Sequence, residues 1–246
     1  IGSEGSLGII TAATLKLCPL PVAQLSAWVG VASLEQALVL LGLAHRHLGA
    51  GLTGFEVMSR FALSVVAQHF PHLRMPMALA TPYTVLLEHS DQESQTHAQD
   101  RLEHLLQAAQ DAGCGQDAVV AHSLAQTRQF WHVRESIPLA QAREGLNIKH
   151  DIGIAASHIP AFVQATDALL EQMLPGVRVL CFGHMGDGNL HYNVQAPAGE
   201  DAAAFLRAHE VAVNTLVYDS VARVNGSISA EHGIGRLKVD TLPRYK

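Results

Sequence analysis

The sequence predicts an α+β fold built from two ferredoxin-like units, and three observations predict it. Strand-like and helix-like segments follow one another in the same order twice. The predicted helices carry their own start and stop residues, and an Asp-Gly pair late in the chain marks a tight hairpin. The 246 residues are 48% hydrophobic and 15% charged, with no low-complexity tract, so they can bury a substantial core and belong to a folded class.

The regular pattern begins after Pro19 and Pro21 with a strand at residues 26–32, rich in small and branched side chains. Ser33 with Gln36 forms a capping box, and Leu34, Leu38 and Leu41 continue one apolar helical face until Gly49. A strand at 52–57, a short helix at 60–70 and a strand at 83–89 follow. Ser90 and Glu93 start another helix, whose Ala98, Leu102, Leu105 and Ala109 have helical spacing. A strand at 117–122 closes the first unit. A long helix from Ser123 to Glu144, containing Pro138, joins it to the second. There the order repeats: strand 147–154, helix 159–173, strand 177–183, strand 189–195 and helix 202–224. Pro175 with Gly176, and Asn225 with Gly226, stop the last two helices.

Sixteen basic and 22 acidic residues give a formal charge of −6, which argues against a nucleic-acid partner. The apolar stretches are broken well before the ~20 residues that a membrane-spanning helix needs. Cys18, Cys114 and Cys181 lie far apart without paired spacing, which points to a reducing compartment such as the cytoplasm. Histidine is over-represented, with 15 copies against seven phenylalanines. His45, His47, His97, His104 and His209 fall in polar helical stretches and read as solvated side chains.

The stretch Cys181 to Val194, CFGHMGDGNLHYNV, is the most informative. With Asp187 and Gly188 as a two-residue turn, Gly186 faces Asn189, Met185 faces Leu190 and His184 faces His191. Direct cross-strand partners have Cβ atoms about 4.5 to 5.5 Å apart, so both imidazoles can reach one metal ion. Period-two alternation puts Phe182 and Asn193 on the same face. Downstream, GSISAEHGIG places Glu231 and His232 in a loop too glycine-rich for helix, and Glu231 supplies a third candidate ligand. Two histidines and a carboxylate leave coordination positions open for a substrate. A structural histidine pair, a metal-dependent hydrolase and a non-catalytic anion-binding module are the competing readings of these residues.

Taken together, IGSEGSLGIIT, CFGHMGDGNLHYNV and SISAEHGIG resemble, in that order and separation, the FAD-linked oxidase family of D-lactate, D-2-hydroxyglutarate and glycolate dehydrogenases. The resemblance implies that residues 1–20 are the tail of a flavin-binding domain, ending in its last strand, and that residues 21–246 are the substrate or cap domain, truncated at its carboxy end. It implies a divalent metal, zinc or manganese, on His184, His191 and Glu231, and His232 as the base that takes the hydroxyl proton. Arg134, Lys149 and Asn193 become substrate contacts, and Gly2, Ser3, Glu4, Gly5, Ser6, Gly8 and Ile9 become flavin contacts. The implied partners are a small 2-hydroxy acid, the flavin domain of the same protein and an electron acceptor. One departure bears on the substrate. Pro138 stands four residues after Arg134, where hydroxyglutarate-type members carry a threonine, and a proline cannot donate that hydrogen bond. This weakens a five-carbon diacid and leaves a smaller hydroxy acid such as lactate or glycolate more open.

Overall fold

The computed structural model describes residues 7–236 and 238–245. Its eight strands are β1 (Ala23–Val31), β2 (Leu52–Ser59), β3 (Tyr83–Asp91), β4 (Asp117–Val120), β5 (Asn147–Ile148), β6 (Asp151–Gly153), β7 (Arg178–His184) and β8 (Asn189–Gln195). The helices are α1 (Leu34–Leu48), α2 (Arg60–His69), α3 (Gln95–Asp111), α4 (Leu124–Glu135), α5 (Ile137–Glu144), α6 (Ile159–Met173), α7 (Ala202–Arg223) and α8 (Leu242–Tyr245). All eight strands join one sheet in the order β4-β1-β3-β2-β7-β8-β5, with β6 also on β8. The first four strands have the ferredoxin-like order, with helices α1 and α3 as its two crossovers.

The second unit repeats that order with a reduced fourth strand. β5 and β6 stand where β1 stands in the first unit, and β7 and β8 follow. After α7 the fourth strand shrinks to one antiparallel bridge between Ser227 and Gly153. The predicted strand at 147–154 is split because the His150 amide leaves the ladder and donates to the Asn193 side chain. The His150 ring nitrogen Nδ1 instead meets the Tyr192 carbonyl at 2.7 Å.

Period-two alternation sorts the sheet into two faces. On one face Val29, Val57, Val85, Tyr192 and Val194 pack under α1, α3, α6 and α7 in the larger core. On the other, Trp28, Met58, Leu86, Leu180 and Phe182 pack under α2, α4 and α5. Chain geometry therefore sends Phe182, His184, His191 and Asn193 to the second face, beside α4 and α5.

Three local expectations are corrected. Helix α3 is capped by Ser94, whose hydroxyl accepts from the His97 amide, while Asp91 accepts from Glu93 and Ser94; Ser90 takes no part in the cap. The predicted helix from Ser123 to Glu144 is two helices meeting at Ser136, because Pro138 has no N–H to give and its ring crowds the carbonyl four residues back. Ser136 closes the break by donating from its hydroxyl to the His132 carbonyl.

The hairpin is the third. Phe182, not His184, lies opposite His191, and Met185 to Gly188 form a four-residue loop. The cause lies in the turn residues. Met185 is fully buried instead of pairing across the strands. Asp187 accepts from the Asn189 amide, and Gly188 takes a φ of +83°. A two-residue change preserves side-chain parity. His184 therefore stays on the face of His191, set diagonally to it.

Candidate metal and substrate site

Cross-strand register builds a polar row over the sheet's second face. Glu56 of β2 lies opposite His184 of β7, and His191 of β8 lies between Phe182 of β7 and Asp151 of β6. Each imidazole meets a carboxylate at Nδ1. Fully buried Glu56 contacts His184 Nδ1, and Asp151 Oδ1 lies 3.6 Å from His191 Nδ1. The Nε2 atoms of both rings are left facing Glu231, at 3.2 Å from His184 and 3.9 Å from His191. For His184 the Glu56 carboxylate at Nδ1 fixes ring orientation and leaves Nε2 as the basic nitrogen, the arrangement that suits a metal ligand; at His191 the Asp151 carboxylate is a charged neighbour beyond hydrogen-bond reach.

Asp151 explains how the loop reaches this row. Its Oδ2 accepts from the backbone amides of Ala230, Glu231 and His232 at 3.3, 2.8 and 2.8 Å, and its Oδ1 accepts from Asn189 Nδ2 at 3.0 Å. Three consecutive N–H groups converging on one oxygen bend the chain, so residues 229–234 form no strand. Adjacent Glu231 and His232 thereby reach one site. His191, Glu231 and Asp151 each offer an atom within 4.8 Å of the others. Since both Asp151 oxygens already accept from protein donors, its position suits holding the loop.

The charges follow from these contacts. Burial pushes the Glu56 carboxyl up, but His184 and Arg134 outweigh it and leave it below the ordinary range. Asp151 is lowered in the same way: burial opposes, and the His232 amide and Asn189 side chain prevail. The Glu56 hydrogen bond raises His184. Burial lowers His191.

A cavity of about 560 Å³ opens beside the row. Arg134, Lys149, Asn193, Glu231 and His232 all line it. Arg134 Nε donates to Glu56 at 2.8 Å, and its guanidinium lies over the Phe182 ring. Lys149 is exposed. Asn193 is 5% exposed and has its amide engaged at both ends, accepting from His150 N and donating to Gln141. His232 is well exposed, with its ring centroid 5.8 Å from that of His191. Gly8 and Ile9 lie in an exposed segment without regular secondary structure, and the expected flavin contacts Gly2, Ser3, Glu4, Gly5 and Ser6 lie outside the described residues.

Sequence reasoning missed Glu56, Asp151 and Gln141. Alternation offered a signal for the first two. Glu56 sits between core-facing Phe55 and Val57, and Asp151 shares a face with Lys149. Nothing in the pattern marked Gln141, which reads as an ordinary polar helix residue.

Residues 20–246 match the family described as FAD linked oxidases, C-terminal domain. The chain is 36% identical over 244 residues to a D-2-hydroxyglutarate dehydrogenase of Xanthomonas citri pv. viticola, across 98% of this chain and 50% of that protein. A mitochondrial D-2-hydroxyglutarate dehydrogenase of Arabidopsis thaliana is 30% identical across 98% of this chain and 42% of its own length. A third such dehydrogenase, from Stutzerimonas stutzeri, is 32% identical across 98% and 51%. The chain thus spans about half the length of these relatives. In fold it is similar to p-cresol methylhydroxylase, with a TM-score of 0.60 at 10% identity over 86% of this chain and 46% of that one. Alkyldihydroxyacetonephosphate synthase gives 0.57 at 12% identity over 100% and 46%. No helix among the described residues is long and apolar enough to cross a membrane.

Proposed function

We propose, because this chain belongs to the family of FAD-linked oxidase C-terminal domains, that it is the substrate-binding part of a flavin-dependent dehydrogenase acting on a D-2-hydroxy acid of the lactate, glycolate or 2-hydroxyglutarate class. The product is the 2-keto acid. The observation that carries this reading is the convergence of His184 Nε2 and His191 Nε2 on Glu231 at the edge of a cavity walled by Arg134 and Lys149.

The donors suit a divalent cation of the zinc or manganese class, two imidazoles and one carboxylate with open positions toward the cavity: His191 and Glu231 already offer atoms within 4.8 Å of each other, while His184 reaches Glu231 at 3.2 Å but stands outside that tighter group. His184, His191 and Glu231 would hold it, with Asp151 fixing the loop that presents Glu231. When bound, the cation lowers the pKa of a coordinated hydroxyl. The substrate carboxylate and its adjacent hydroxyl suit this end of the cavity. His232, on the same wall, takes the hydroxyl proton at a ring nitrogen. Arg134, Lys149 and Asn193 bind and orient the rest of the molecule.

Bound FAD would supply the two-electron acceptor for the α-hydrogen. In this reading residues 1–20 are the last piece of the flavin domain and residues 21–246 the substrate domain, with Gly8 and Ile9 among the flavin contacts. The exposed apolar run of Leu7, Ile9, Ile10, Leu15, Leu17 and Leu20 supports a covering domain from the same protein. Three free cysteines favour a reducing location, which we assign as the cytoplasm. The electron acceptor is a separate partner.

The test uses the flavin-loaded full-length protein that contains this chain, with an artificial acceptor. His232→Gln keeps metal and flavin but loses about 10² to 10⁴ in kcat, the span of one general base. Glu231→Gln loses metal. Near wild-type turnover by His232→Gln removes the base assignment, and metal loss in that variant makes His232 a ligand.

A further inference from the structure

Glu56 is 0% exposed, so no ligand reaches it and whatever it does passes through its neighbours. A carboxylate held that deep is costly unless donors meet its oxygens. Here each oxygen has a different partner. Oε2 accepts from Arg134 Nε at 2.8 Å, and Oε1 lies against His184 Nδ1. One partner is an arginine of the cavity wall, and the other is the histidine whose Nε2 lies 3.2 Å from Glu231.

The hydrogen-bond roles of these groups fix the place of one proton. Arg134 Nε can only donate, and an ionised carboxylate can only accept. A neutral imidazole carries its proton on one nitrogen and a lone pair on the other. With a carboxylate against Nδ1 the proton belongs there, and Nε2 keeps the lone pair that a metal needs. Glu56 and His184 are direct cross-strand partners on β2 and β7, so the sheet itself sets this contact.

Glutamine at this position would have the same shape and the opposite effect. Its single oxygen would face Arg134, because Nε can only donate, and its NH₂ group would then face His184 Nδ1. Nδ1 would have to accept, and the ring proton would move to Nε2, the nitrogen that faces Glu231. We propose that Glu56 is a positioning residue that locks His184 in the tautomer protonated at Nδ1, and that Arg134 makes the lock depend on a carboxylate by turning any amide there the wrong way.

A counterintuitive order follows. The polar isostere is worse for the metal than an apolar side chain of similar volume, since the apolar one leaves His184 free to choose its tautomer. Arg134 is thereby coupled to metal affinity through Glu56 without touching the metal. This inference rests on the metal reading proposed above and deepens it.

The experiment measures zinc affinity of the flavin-loaded full-length protein at one pH by competition with a chelator, with a melting curve to show that each variant is folded. Glu56→Gln and Glu56→Met both remove the charge at similar volume and differ in what they offer Arg134 and His184. Glu56→Gln binds zinc about 10- to 100-fold more weakly than wild type, the usual cost of losing a group that orients a ligand, and more weakly than Glu56→Met. Adding Arg134→Met to Glu56→Gln frees the amide to turn its oxygen to His184. Affinity then recovers by more than Arg134→Met changes it in the wild-type background. A purely structural role for Glu56 gives the reverse order, with glutamine milder than methionine. Zinc binding by Glu56→Gln that is as tight as wild type, or no weaker than that of folded Glu56→Met, overturns the proposal. So does a double variant without recovery, which decides alone where Glu56→Met fails to fold. Those results leave the metal reading standing, whereas a wild type that binds neither zinc nor manganese overturns both.

Discussion

At Gly188 the backbone has a φ of +83°, and a Cβ added there would stand 2.1 Å from the Ile154 carbonyl oxygen. The Gly188 carbonyl also accepts from the Ile154 amide at 2.8 Å, tying the hairpin loop to the strand that carries Asp151. Gly188→Ala combines a left-handed conformation with a backbone clash, and it should cost about 2 kcal/mol or more of stability. A urea unfolding series measures it. An unchanged midpoint would show that the loop adjusts freely. At this scale the site was partly legible. Turn chemistry and alternation point to His184 and His191, and resemblance adds Glu231, as candidate ligands, and the fold brings both Nε2 atoms toward Glu231. Glu56 and Asp151 were hidden because a carboxylate in a strand acquires meaning only from what tertiary pairing sets opposite it. Gln141 depends on a three-residue relay between β8, α5 and the break before β6, which no local pattern encodes.

Elements meet through a second, half-buried polar contact, between α6 and β8, where the Tyr192 hydroxyl donates to Asp167. Burial raises the Asp167 carboxyl above its ordinary value, and the Tyr192 bond opposes the shift without cancelling it. A carboxyl raised on folding contributes stability that is present below its unfolded pKa and lost as pH rises through its folded value. Asp167→Asn keeps an acceptor for Tyr192 without the charge. The wild-type melting temperature should therefore fall relative to this variant as pH rises from about 4 to about 7. A gap that stays constant across that range would show that Asp167 titrates as an ordinary surface carboxylate. Element identity was legible where apolar periodicity and caps agreed, as in α1, where Ser33 caps and Gly49 stops the helix. Junctions were not. The break at Ser136 needed the steric reach of Pro138, the hairpin register needed the burial of Met185, and the split between β5 and β6 needed a side-chain acceptor on another strand.

Across the whole molecule, the two units share more than a covalent link. β2 and β7 pair edge to edge, through Glu56 with His184, Val57 with Gly183 and Met58 with Phe182, so one sheet runs through both. The larger core holds Leu40, Val57 and Val85 from the first unit with Ile159, Tyr192 and Val217 from the second. The smaller core holds Trp28 beside Leu180. Opening either unit alone would strip apolar surface from the other and expose a long sheet edge. We therefore expect one cooperative transition in urea, despite a length at which separate domains are common. Tryptophan fluorescence, from Trp28 and from Trp131 bonded to Glu88 of β3, reports on the first unit, and hydrogen exchange at the β8 amides reports on the second. Coincident midpoints are the expected result. Loss of β8 protection at a urea concentration where the tryptophan emission remains native would show two independent units, and the polar row spanning β2, β7, β8 and β6 would then rest on a separable interface.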